Sequence, residues 1–212
     1  MRHQKLMVDW IANNNLVQNG DIFTPNAEPQ NGGINGVTWC GSPANCQFTG
    51  KSDFNIWLQQ THTLADLALK AKGLMGVKVG YYGFDGFITA GLGNPDWQGQ
   101  SQLEPSTIAM MGSVAIDHYP ETIGHTLAQD MAYIKQAIGQ NTQIVFSEYG
   151  TITTSDQSLA ASQASAFYQT ASEEPNVIGM NYWHLGPGGN EALINSDFTN
   201  KQSFGVVENF YK

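Results

Sequence analysis

Five apolar runs, each trailed by a stretch of helical periodicity, constrain this chain more than anything else in it: "DIFTPN", "GVKVGYYGF", "SVAIDHYP", "QIVFSEYG" and "VIGMNYWHL". Short apolar runs bounded by turn residues read as buried strands, and their alternation with helices is how βαβ units build a parallel sheet. Between the third and fourth runs, Ile123, Leu127, Met131, Ile134 and Ile138 recur at helical steps, with Thr122 placed to cap. A second helix is predicted over 53–72, with Ser52 or Asp53 as its cap and Gly73 beyond its end. A third spans 157–173 after Ser155 and Asp156 and stops before Pro175; a last one covers 203–211. The opening segment, with Leu6, Met7, Trp10, Ile11 and Leu16, reads as a helix with no strand before it, and Trp10 and Trp57 read as core residues on helical stripes.

The spacing of these units narrows the fold. Glu28, Phe84, His118, Glu148 and Trp183 mark the five strand ends, at intervals of 56, 34, 30 and 35 residues. A (β/α)8 barrel of about 250 residues averages roughly 31 residues per unit. Three intervals fit, and the long one holds the loop "CGSPANC". The expectation is therefore an α/β fold: a partial TIM (β/α)8 barrel of five units, with residues 1–212 forming one incomplete catalytic domain. The first three strands, about a hundred residues, would precede Met1.

Composition removes several functions. With nine Lys and Arg, a formal charge of −9 and a pI near 4.8, the chain has no basic patch for a nucleic-acid backbone. No run approaches the length of a membrane span, and the amino terminus lacks the apolar core of a signal peptide. Only 13% of residues are charged while Asn, Gln, Ser, Thr and Gly abound, a surface we read as that of an exported, extracellular protein. Cys40 and Cys46 bracket a loop able to close a disulfide, or stand as two free thiols. "GLGNPDWQG" lacks the Lys-Ser/Thr of a phosphate loop, and His3, His62, His125 and His184 show no metal-ligand spacing. Asp85 and Asp117 read as satisfying loop amides, in preference to binding sugar hydroxyls.

Catalytic groups of such barrels stand at the carboxyl ends of strands, where the βα loops form the open face. Glu28 and Glu148 both fall there, three units apart, so a closed barrel would bring them to opposite sides of one mouth. Two carboxyls flanking a glycosidic bond about 5 Å apart are the minimum for retaining hydrolysis. A lone glutamate at a strand–loop junction is ordinarily solvated, so the pair, more than either member, carries this reading. Trp183 stands at a strand end before the loop "HLGPGG" and suits sugar stacking; Trp39 and Trp97, in Gly-rich loops, are candidate outer platforms or core residues, and Tyr81 and Tyr82 are candidate core aromatics.

"NAEP", "IVFSEYG" and "YWHLG" together resemble strands four, seven and eight of clan A of the retaining glycoside hydrolases. The resemblance extends over essentially the whole chain. It implies Glu28 as general acid/base, Glu148 as nucleophile, Trp183 as the sugar platform, a carbohydrate substrate and neither metal nor organic cofactor. "AIDHYP" is similar to the clan's strand six, which implies that Tyr119, or else His118, hydrogen-bonds the nucleophile; strand alternation lets only one point inward, and Tyr119 is preferred. The clan places an asparagine directly before the acid to hold the sugar 2-hydroxyl. Here Ala27 occupies that position and Asn26, one residue back, is the substitute candidate. The reading from a different class is a non-catalytic protein: a carbohydrate-binding remnant, or a truncated barrel that keeps the glutamates without the geometry to use them.

Overall fold

The computed structural model describes residues 2–26, 51–84, 103–111, 113–119, 127–151 and 154–212. Among these the helices are α1 (Arg2–Asn13), α2 (Lys51–Ala71), α3 (Pro105–Met110), α4 (Leu127–Ile138), α5 (Gln157–Ser172) and α6 (Gln202–Phe210). The strands are β1 (Ile22–Phe23), β2 (Lys78–Val79), β3 (Tyr81–Phe84), β4 (Val114–His118), β5 (Ile144–Tyr149) and β6 (Val177–Met180). β1 pairs with β2, and β3, β4, β5 and β6 lie side by side in chain order; every one of these pairings is parallel. Parallel neighbours need a crossover between them, which is the part the helices take.

The second apolar run, expected as one strand, is two. Gly80 divides it: its N–H donates to the Phe23 carbonyl at 3.0 Å, and the next N–H, of Tyr81, donates to the Ser113 carbonyl at 3.0 Å. The run thus changes neighbour at a single residue. A Cβ on Gly80 would lie 2.8 Å from both the carbonyl and hydroxyl oxygens of Ser113, so the crossover point has no room for a side chain.

The helices cover one face of the sheet. Tyr81, Val114, Ile116, Ile144 and Phe146 from the strands meet Phe54 and Leu58 of α2, the α4 stripe Leu127, Met131, Ile134 and Ile138, and Phe167 and Tyr168 of α5. That stripe matches the sequence reading; Ile123 and Thr122 lie outside the described residues. Asp156 caps α5, its Oδ1 accepting from Ser158 N at 2.8 Å and Leu159 N at 3.2 Å, which satisfies amides that a helix start leaves open.

Other expectations need correcting. α2 begins at Lys51, so neither Ser52 nor Asp53 is its cap. α3 was not legible, because six residues span too little of the helical period to show a stripe. Trp57 packs partly buried against the core, but Trp10 is 62% exposed. α1 instead buries Gln4, Val8 and Ile11, at steps of four and three, and Val8 and Ile11 pack with Phe23, Ala65 and Leu69. No helix among the described residues is long and apolar enough to cross a membrane.

Candidate active site

The site grows from a count of residues along β4 and β5. On β4, Val114, Ile116 and His118 face the helices, and strand alternation turns Ala115, Asp117 and the following Tyr119 to the other side. On β5, Ile144 and Phe146 face the helices too, and strict alternation would send Glu148 after them. The pairing shifts instead: Ile116 lies opposite Phe146, but Asp117 lies opposite Glu148, leaving Ser147 as an extra residue in β5. This bulge reverses the parity. Glu148 joins Asp117 and Tyr119 on the face away from the helices, while Tyr149 returns to the helix layer and stacks on Phe167 with ring centroids 3.8 Å apart.

Both oxygens of Glu148 are held. Tyr82 Oη donates to Oε1 at 2.8 Å, and Tyr119 Oη donates to Oε2 at 2.7 Å. Two O–H donors, one on each oxygen, suit an ionised carboxylate, which accepts at both and donates at neither. The phenols are dependable donors. Burial, then the hydrogen bond to Glu148 and the charges of Asp117 and Glu148, push the Tyr82 and Tyr119 hydroxyls well above the ordinary tyrosine pKa, so both keep their protons at any physiological pH. Asp117 is 1% exposed and accepts from Ser147 Oγ at 2.9 Å. It stands within β4, as the run "SVAIDHYP" predicts.

The loop after β6 descends on the same strand ends. Trp183 N donates to the Tyr149 carbonyl at 2.7 Å. A Cβ on Gly150 would lie 2.6 Å from the Trp183 carbonyl oxygen and 3.2 Å from Tyr119 Cε1, so the glycine of "SEYG" leaves room for this approach. The Trp183–His184 peptide is cis, and the Trp183 side chain is 46% exposed, leaving ring surface open. His184 Nε2 stands 3.6 Å from Glu191 Oε1 in the same loop.

Two predicted site residues point elsewhere. His118 is fully buried in the helix layer, its ring stacked on Phe167 at 6.1 Å and tilted against Phe146 at 5.7 Å; alternation that sends Tyr119 to Glu148 sends its neighbour the other way. Asn26 donates its amide to Thr61 Oγ1 of α2 at 3.1 Å, a direction set by the helix layer. Glu28, Trp39, Trp97, Cys40 and Cys46 lie outside the described residues. Tyr82 and Ser147 were not foreseen as site residues. The available signal for Tyr82 was parity: with Tyr81 in the core, Tyr82 must face away from it. Among the described residues no group of three His, Cys, Asp or Glu side chains is arranged to hold a metal ion.

No family model and no curated protein sequence matches the chain. Solved structures do. A GH39 β-xylosidase from Caulobacter crescentus superposes on 97% of this chain and 45% of its own, with 15% identity and a TM-score of 0.60. A β-glucuronidase from Faecalibacterium prausnitzii covers 99% of this chain and 34% of its own, at 14% identity and a TM-score of 0.59. The endo-1,4-β-xylanase XylE of Penicillium canescens covers 76% and 52%, at 17% identity and a TM-score of 0.51. The fold is thus like that of clan A glycoside hydrolases, and the chain spans about half or less of the structures it resembles.

Proposed function

We propose that the chain is the greater part of the barrel of a retaining glycoside hydrolase, five of its eight βα units, acting on β-linked polysaccharide or oligosaccharide outside the cell. The observation that carries this reading is Glu148 at the carboxyl end of a parallel strand, with a phenol donating to each of its oxygens. A carboxylate so held is oriented for attack, and orientation is a large share of what an enzyme supplies. The likeness of the fold to glycoside hydrolases supports the same reading.

In the proposed cycle Glu148 attacks the anomeric carbon while Glu28 protonates the departing glycosidic oxygen. The C–O bond to the leaving group breaks as the glycosyl ester on Glu148 forms. Glu28, now ionised, takes a proton from water, whose oxygen attacks the same carbon and releases the Glu148 carboxylate. Trp183 offers its open ring face to the sugar. Tyr82 and Tyr119 keep their protons throughout and serve to orient the nucleophile.

A panel of 2-deoxy-2-fluoro β-glycosyl fluorides (xylosyl, glucosyl, mannosyl and galactosyl) tests this by intact-mass and peptide mapping. One sugar mass on Glu148 is the expected result. Sugar binding without an adduct from any of the four would overturn the enzyme reading and favour a carbohydrate-binding protein.

A further inference from the structure

Tyr82 stands on β3 and its acceptor Glu148 on β5, with β4 between them. Adjacent strands lie about 4.8 Å apart, so the hydrogen-bonded pair of side chains together spans roughly 10 Å of sheet and passes over β4. The residue of β4 directly opposite Glu148 is Asp117. Its carboxyl is buried on the same face and anchored by Ser147 Oγ at 2.9 Å. Tyr82 thus runs between two carboxyls on neighbouring strands, with one proton to give.

Building on the assignment of Glu148 as nucleophile, we infer that Asp117 is a positioning residue: the Tyr82 proton points to Glu148 in the resting site and turns to Asp117 once Glu148 carries the sugar. The chemistry follows from what each carboxyl becomes. Before attack, Glu148 is anionic and accepts a charge-assisted hydrogen bond, while the neighbouring Asp117 raises its energy by like-charge repulsion. Attack converts Glu148 to a neutral ester, a weaker acceptor, as the glycosidic C–O bond breaks and its oxygen takes the proton of Glu28. Asp117 keeps its charge and is then the stronger acceptor for Tyr82. The phenol proton never leaves Tyr82; only its acceptor changes. The device raises the energy of the free carboxylate and lowers that of the glycosyl-enzyme, favouring the first half of the reaction at the expense of the second.

Among the described residues, the groups facing Glu148 are Tyr82, Asp117 and Tyr119, with His184 and Glu191 in the adjoining loop. Asp117→Asn keeps the shape and the acceptor for Ser147 but removes the charge. In the full chain, the rate of adduct formation from the reactive 2-fluoro glycosyl fluoride and the rate of its turnover are measured separately by mass. Asp117→Asn is expected to slow formation and to hasten release, the ratio of the two falling about tenfold, the gap between a charged and a neutral acceptor. Ser147→Ala, which removes one hydrogen bond from Asp117, is expected to shift formation and release in the same directions as Asp117→Asn, by less.

Loss of packing would slow both steps together, and that result overturns the inference while leaving Glu148 as nucleophile. Unchanged rates overturn it too. Absence of any adduct on wild-type Glu148 overturns the inference together with the function it rests on.

Discussion

The two faces of β4 and β5 are made from alternating residues of the same short segments, yet they do different work. Toward the helices stand Ile116, His118, Ile144, Phe146 and Tyr149, which form an apolar layer with Phe167 of α5. Away from them stand the buried Asp117 and the partly exposed Tyr119, Ser147 and Glu148, linked by hydrogen bonds. Packing tolerates no polar guest without a partner, whereas the other face is built of polar groups that restrain one another. Polarity on a strand therefore tells less about function than parity does: His118 and Tyr119 are neighbours of similar chemistry, and one is in each world.

Substitutions that act on only one face sharpen this contrast. Glu148→Gln should leave the fold intact, as a near-isostere, and lower turnover of an aryl β-glycoside by about 10⁴-fold, roughly 5 kcal/mol of barrier; matched melting curves beside steady-state kinetics check both halves. Phe167→Ala empties the centre of the helix-side layer and should cost ~3–5 kcal/mol of stability by denaturant titration, with kcat of the remaining folded protein little changed. Tyr119→Phe removes one donor to Glu148 at constant shape: kcat should fall about 10–100-fold, corresponding to ~1.5–3 kcal/mol for a hydrogen bond to a charged group, while Tm stays put. If Tyr119→Phe melts the protein and Phe167→Ala spares it, the division between the faces is wrong. Asp156→Ala, at the start of α5, should cost ~1 kcal/mol through two unsatisfied amides and leave kinetics untouched.

Much of the scaffold was legible in the sequence because it follows local rules. The α4 stripe, the cap at Asp156 and the strand segments all announce themselves by period or by turn chemistry. The site was legible only in part. Glu148 is marked by its place at a strand end, but its direction depends on a one-residue shift against β4 that no local pattern encodes. Tyr82 is hidden for a related reason: it sits in "YYG", where two identical residues face opposite ways, and its partner is 66 residues along the chain. The direction of Asn26 was hidden because Thr61 on α2 takes its amide, a tertiary contact that no local pattern encodes. Trp10 was misread because two arcs of α1 carry apolar residues and only the arc of Val8 and Ile11 meets the sheet.

The extra residue in β5 has a consequence for how this chain can vary. Lengthening or shortening a surface loop is usually tolerated, but between Phe146 and Tyr149 the chain is read modulo two. Deleting Ser147 would remove the bulge, and plain alternation would then give what the bulge gives now: Phe146 and Tyr149 toward the helices and Glu148 away from them, each opposite its present partner on β4, at the cost of the hydroxyl bonded to Asp117. A deletion scan along β5 would therefore find its shallowest loss at that position, because every other residue of the strand has a partner on β4 or a side chain in one of the two faces.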